Sequence, residues 1–150
     1  MSWQLDASHS SVNVSAKHMM VTTVRGTLAI RSAVLDFDPE RPEAGRVEAV
    51  IDAASINTGV EQRDQHLRSA DFLDVEDHPD ITFRSTRITP AGDGYRVHGG
   101  LTIRGVTRPV VLDAEVTGVV DDWQGGRRAA FSASTRINRE DWGLTWNVAL

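Results

Sequence analysis

Apolar and polar positions alternate along most of this chain, and the alternation stops in one place. From Ser11 to Met20, Val12, Val14, Ala16, His18 and Met20 fall on one face and Ser11, Asn13, Ser15 and Lys17 on the other. That is the period of a half-buried strand. Before it come an apolar start at Trp3 and Leu5, then Asp6 and a polar turn. A second strand runs from about Val24 through Gly26, Leu28 and Ile30 to Val34, Leu35 and Phe37, and its phase slips around Ser32, which predicts a bulge or bend. Asp38 to Gly45 is a loop with two prolines, and Arg46 to Ala53 alternates again through Val47, Ala49, Ile51 and Ala53.

Further along, Ile81, Phe83 and Ser85 restart the pattern, and Pro90 to Gly94 reads as a hairpin loop. Tyr95, Val97, Gly99, Leu101 and Ile103 form the apolar side of the next strand, with Arg96, His98, Thr102 and Arg104 opposite. Gly99-Gly100 inside it predicts a bulge or a close backbone approach. Gly105-Val106 fits a type II′ hairpin with Gly at the first central position. The return strand carries Val110, Leu112, Ala114 and Val116, with Pro109 near its start. After a loop at Asp121–Gly126, Ala129, Phe131, Ala133, Thr135 and Ile137 make the last clear strand, and Trp142, Leu144 and Trp146 continue at period two.

The interruption lies between Asp52 and Phe83. Thr58-Gly59-Val60-Glu61 fits a capping box, in which Thr accepts a free backbone N–H and the Glu three residues on reaches back. Gln62 to Arg68 follow as a helix, with Asp64 and Arg68 four apart in the acid-before-base order that supports one. Asp71 to Asp77 is a second, shorter helical turn, ended by His78-Pro79. A single helix among strands plugs, covers or rims something.

At 150 residues the chain is one domain, long enough to bury roughly two thirds of its unfolded surface. The net charge of −5 argues against clamping nucleic-acid phosphates. There are no cysteines, which excludes disulfides, thiolate nucleophiles and Cys-ligated metals. The start shows no basic n-region before an apolar run, and no apolar run approaches the roughly 20 residues of a membrane span. Cytoplasmic location is the expectation. HExxH, GxSxG, Walker and GxGxxG patterns are all missing, so no metal site, cofactor or catalytic residue is expected.

About seven antiparallel strands joined by short hairpins predict an all-β barrel or sandwich. Several inward positions are small: Ala16, Ala49, Ala53, Gly99, Ala114, Ala129 and Ala133. A barrel of about eight strands is wide enough to be filled by side chains or to hold one small ligand. Small inward residues leave room for a ligand, or are met by large residues from elsewhere as in any core.

The segments Trp3–Asp6 with His9-Ser10, Lys17–Met20, Val24–Gly26, Ala54–Thr58, Arg63–Phe72, Pro79–Phe83, Gly100–Val110 and Ile137–Gly143 appear in an order that resembles the YceI-like family of lipid-binding, lipocalin-like proteins. The resemblance covers nearly the whole chain. It implies an antiparallel lipocalin-like barrel of about eight strands with a helical insertion covering one end, and a cavity for a polyisoprenoid or other amphiphilic lipid. It also implies the signal-less, cytoplasmic branch of that family. Family chains continue past the Trp-Gly-Leu segment into a final strand, so the barrel is expected either to close differently or to lack its natural end.

On that reading the function is non-catalytic carriage or sequestration of the lipid. Strand phase nominates Val12, Val14, Ala16, Leu28, Ile30, Val47, Ala49, Ile51, Ile81, Phe83, Val97, Leu101, Ile103, Leu112 and Phe131 for the cavity wall. Leu67 and Phe72 would face the cavity from the lid, and Trp142 and Trp146 would line it or seal an end. His18, Arg25, Arg63 and His66 are the head-group candidates, an Arg fork suiting a phosphate. Arg63 and Asp64 are expected chiefly to tie the helix to the barrel. Two alternatives stay open. One is an enzyme acting on a bound lipophile, with His18 or Asp64 essential; the other is an interaction protein using an exposed sheet edge, for which a homodimer in gel filtration would speak.

Overall fold

The structure, a computed structural model, describes residues 2–6, 10–18, 22–38, 40–121 and 127–145. Its strands are β1 (Ser2–Gln4), β2 (Val12–His18), β3 (Thr22–Asp36), β4 (Arg46–Asn57), β5 (Asp80–Ala91), β6 (Gly94–Ile103), β7 (Val106–Asp121) and β8 (Arg127–Ser134). One helix, α1 (Glu61–Arg68), joins β4 to β5, and two 3-10 turns lie at Pro42–Ala44 and Arg139–Trp142. All eight strands form one antiparallel sheet in the order β1-β3-β4-β5-β6-β7-β8, with β2 also paired to β3. β1 and β2 lie end to end along the same edge of β3, opposite Val34–Asp36 and Thr22–Leu28 respectively.

The sheet curls until its two edges meet through side chains. Trp3 on β1 meets Phe131 on β8 edge to face at 5.8 Å, and Arg128 on β8 lies 3.4 Å from the Asp6 carboxylate. Among the described residues no backbone ladder joins those edges. This is the antiparallel, lipocalin-like barrel that the resemblance implies, curled but not laced shut there.

Alternation holds because one face is dry and the other carries charge. Register partners across the outer face pair opposite charges, Glu48 with Arg84 at 3.5 Å and Arg96 with Asp113 at 4.0 Å. Arg31 bridges Asp52 at 3.2 Å and also pairs with Asp80. On the inner face Leu28, Phe37, Ala53, Ile56, Ile81, Phe83, Ile88, Val97, Ile103 and Val110 build one buried cluster with Trp142 and Leu144. The phase slip near Ser32 is a register shift between Ile30 and Ser32. Gly99 is the expected close approach: a Cβ there would lie 2.5 Å from the Arg84 carbonyl and 2.6 Å from the Phe83 ring.

Three local expectations are corrected. The β6–β7 hairpin turns on Arg104-Gly105, with φ of 51° and 73°, and Ile103 pairs with Val106. Positive φ at both central residues is the type I′ signature, not II′. The tail around Trp142 is a 3-10 turn, with Asn138 accepting the Glu140 N–H, and its apolar Trp142 and Leu144 are buried. β8 ends at Ser134, so Thr135 and Ile137 lie beyond the ladder. Asp71–Asp77 is a set of hydrogen-bonded turns with Asp74 at φ 50°, short of a helix. No helix among the described residues is long and apolar enough to cross a membrane.

Candidate functional site

α1 and the turns after it sit at the end of the barrel where β4 and β6 finish and β5 and β7 begin. They are held there at several points. Arg68 donates from Nε to the Ala54 carbonyl at 3.0 Å and from Nη2 to Ile56 O at 3.3 Å. Arg104 on the β6–β7 hairpin donates to Ala70 O at 2.7 Å, and the His78 ring packs against Gly105. The Arg139 guanidinium lies 5.8 Å from the centroid of the Phe72 ring, and Trp142 Nε1 donates to Leu101 O at 2.8 Å. The insertion, the β6–β7 hairpin and the Arg139–Trp142 turn thus converge as one cover, and Leu67, Phe72, Leu73 and Val75 pack beneath it on the core.

The hinge of that cover is Thr58. Its backbone N–H donates to both Asp64 carboxylate oxygens, at 3.0 and 3.2 Å, and its hydroxyl donates to Oδ1 at 2.6 Å. Arg63 donates to the Thr58 hydroxyl from Nε at 2.8 Å and to its carbonyl from Nη2 at 2.9 Å. Asp64 is only 3% exposed, and this buried carboxylate is satisfied by Thr58, the residue that follows β4. The capping box does not form: Val60, at φ −126°, is the N-cap and no side chain caps α1. Asp64 has taken the Thr58 groups instead, and Arg68 pairs with Glu61 at 3.4 Å and with β4 carbonyls, not with Asp64.

The head-group candidates are not gathered. Arg63 is spent on Thr58, and His66 Nε2 lies 3.1 Å from Asp71 Oδ2 with its ring against Phe72. Arg25 stands opposite Ser15, on the face of the sheet away from Val14 and Gly26. His18 ends β2, and its side chain lies outside the described part, as does all of Trp146. No group of three or more His, Asp or Glu among the described residues is placed to hold a metal.

The wall candidates divide. Leu28, Ile81, Phe83, Val97, Ile103 and Trp142 belong to the packed core, at 2–7% exposure. Val12, Val47, Ile51, Leu67, Phe72, Leu101 and Leu112 pack on it half-buried, and Ile30 and Ala49 are half-buried too. Val14 and Phe131, by contrast, are 38% and 41% exposed, and Ala16 is exposed. Both large side chains share the inner face: Val14 pairs with Gly26, and Phe131 touches Trp3, the partner of Leu35.

Two inner-face residues were not among the candidates. Val116 pairs with Phe131 and Val119 with Ala129, and they are 37% and 46% exposed. A register shift between Val116 and Gly118 brings both onto one face although they are three apart, which hides Val119 from a period-two reading. Val116 was visible as the continuation of Leu112 and Ala114. The barrel interior is therefore filled along β3–β6 and apolar but uncovered along β2, β8 and the second half of β7.

The sequence profile described as the YceI-like domain matches residues 3–150. Protein YceI of Salmonella newport (strain SL254) is 38% identical over 143 residues, 95% of this chain and 75% of that protein. Among solved structures, the Campylobacter jejuni YceI protein superposes with a TM-score of 0.74 at 35% identity, covering 94% of this chain and 83% of that one. Burkholderia cenocepacia BcnA superposes with a TM-score of 0.81 at 28% identity, over 91% of this chain and 82% of its own.

Proposed function

The chain belongs to the YceI-like family, and from that premise we propose that it binds a long-chain polyisoprenoid or similar amphiphilic lipid on the inner face of its sheet and carries or sequesters it without catalysis. The observation that supports this most is the uncovered inner surface. Val14, Val116, Val119 and Phe131 are each at least 37% exposed on the concave side of a curled sheet, continuous with the buried core. An apolar concavity of that kind gains roughly 25 cal/mol for each Å² of apolar surface it buries with a ligand tail. The filled half of the barrel supplies a rigid back wall, and the Thr58–Asp64 hinge pins the cover over one end. Carrier and sequestering protein differ in what happens after release, and the concavity serves either.

Native mass spectrometry of the purified protein, with extraction and identification of any bound lipid, tests the reading. The expected result is a lipid adduct, or its appearance after incubation with a polyprenol. Phe131→Glu should abolish loading while leaving the far-ultraviolet circular dichroism unchanged, because the site is 41% exposed. A protein that is always empty and takes up no isoprenoid, or a variant that loads like the parent, would overturn the proposal.

A further inference from the structure

Among the described residues, no strand pairs with the outer edge of the first half of β7. Val106 to Ala114 pair with β6, whereas β8 pairs with β7 only from Asp113 onward. The chain leaving β8 passes alongside without joining the ladder, and a groove of about 900 Å³ opens between the two. Its floor reaches the buried Val110 and Trp142. Four basic side chains from four elements line it: Arg87 from β5, His98 from β6, Arg108 from β7 and Arg136 from the segment after β8.

On the outer face Arg31 is matched by two aspartates, Arg84 by Glu48 and Arg96 by Asp113. In the groove the arginines are not so matched. Among the described residues no carboxylate lies within 4.0 Å of Arg87, Arg108 or Arg136. Arg87 Nη2 instead lies 3.4 Å from His98 Nε2, so the guanidinium donates to an imidazole nitrogen. Asp141 is the one acid on the groove, and Arg108 uses its backbone carbonyl, at 3.0 Å. Three guanidiniums against one carboxylate form a cationic pocket on a chain of net charge −5.

We propose that this groove is an oxyanion site for a phosphate-type group, with Arg87 and His98 as its direct ligands and Arg108 and Arg136 completing the positive field. The Arg fork matches two oxygens of such a group, and the half-enclosed setting strengthens each charge-assisted bond relative to open water. By register Arg87 and His98 lie on the outer face, whereas Arg108 shares the inner phase of Val110 at the edge of β7; the site does not depend on the lipid reading. The group could be a free ion or the head of an amphiphile whose apolar part rests toward Val110 and Trp142.

The test is a titration of the isotopically labelled full chain, following the His98 ring and Arg87 guanidinium resonances at constant pH. The probes are inorganic phosphate, geranyl monophosphate and geraniol. Saturable shifts with both phosphates and none with geraniol are expected. Arg87→Ala should weaken binding about tenfold, with Arg87→Lys partly restoring it, while Arg25→Ala, which removes an equal charge elsewhere, leaves it intact. Equal affinities for the two phosphates identify a free ion as the ligand, and tighter binding of geranyl phosphate identifies an amphiphile head. No saturable shift at millimolar concentrations, the same shifts with geraniol, or equal loss in the Arg25 and Arg87 variants would overturn the proposal. Phe131→Glu leaves this binding unchanged, so failure here and failure of lipid loading are separable.

Discussion

Replacing Asp64 is the sharpest test of how the cover is held. The carboxylate is 3% exposed and takes the Thr58 amide and hydroxyl, all within 3.2 Å. A hydrogen bond to a charged group contributes about 1.5–3 kcal/mol, and a stranded buried donor costs about 1–3 kcal/mol. In Asp64→Ala the hydroxyl can rotate to another partner, but the amide cannot, so the loss should be about 3 kcal/mol. Asp64→Asn keeps one acceptor oxygen for the amide and should cost about 1 kcal/mol. The assay is urea unfolding followed by the fluorescence of the four tryptophans. With a slope of about 2 kcal/mol/M, the alanine variant should unfold at a midpoint lower by about 1.5 M. Amide exchange supplies the local readout: the Thr58 N–H and the first turn of α1 should lose protection in the same variant. An unchanged midpoint together with a Thr58 amide still protected from exchange would refute the hinge.

Two further perturbations separate filled from open parts of the barrel. Gly99→Ala places a methyl 2.5 Å from the Arg84 carbonyl and 2.6 Å from the Phe83 ring, which should cost about 1–3 kcal/mol and lower the melting temperature by roughly 2–10 °C in calorimetry. An unchanged melting temperature would show that both the Phe83 ring and the β5 backbone at Arg84 give way freely. Ala53→Leu, at a site 1% exposed, should destabilise by a similar amount, whereas Ala133→Leu on exposed β8 should leave stability within about 0.5 kcal/mol and reduce polyprenol loading. Equal melting temperatures for these two variants would mean that the two sides of the barrel are packed alike.

Strand positions were legible because each strand presents one face to a shared core, so its period survives in the sequence. The bulge at Ser32 and the close approach at Gly99 were legible for the same reason: each breaks the period or removes a side chain where a neighbour must fit. What depends on choosing between two local partners was not. Thr58 could cap α1 or bond Asp64, and with Gly59 at φ 85° the chain turns so that Val60 opens the helix. Arg104-Gly105 and Gly105-Val106 both frame an acceptable hairpin. The choice falls to the first because it keeps Ile103 and Val106 paired on the inner face, where Ile103 is buried. The basic groove was invisible for a different reason. Arg87, His98, Arg108 and Arg136 come from four elements, and only the sheet order and the path of the chain after β8 bring them together.

Small inward residues were the sequence signal for a cavity, and their fates show why that signal is ambiguous by itself. Gly99 lies under the Phe83 ring, a Cβ at Gly26 would stand 2.9 Å from the Thr58 methyl, and Ala53 is enclosed. Gly99 and Gly26 are thus recesses for larger neighbours, the interdigitation of an ordinary core. On β8 the same kind of residue meets nothing comparable: Ala133 is exposed opposite Ala114, and Ala129 faces Val119, itself 46% exposed. A small residue makes room for a ligand only when its register partner and the strand across the barrel are also small or absent. Pairing decides this, not composition, and it places the open surface along β2, β8 and the second half of β7, leaving the region beneath α1 to the core.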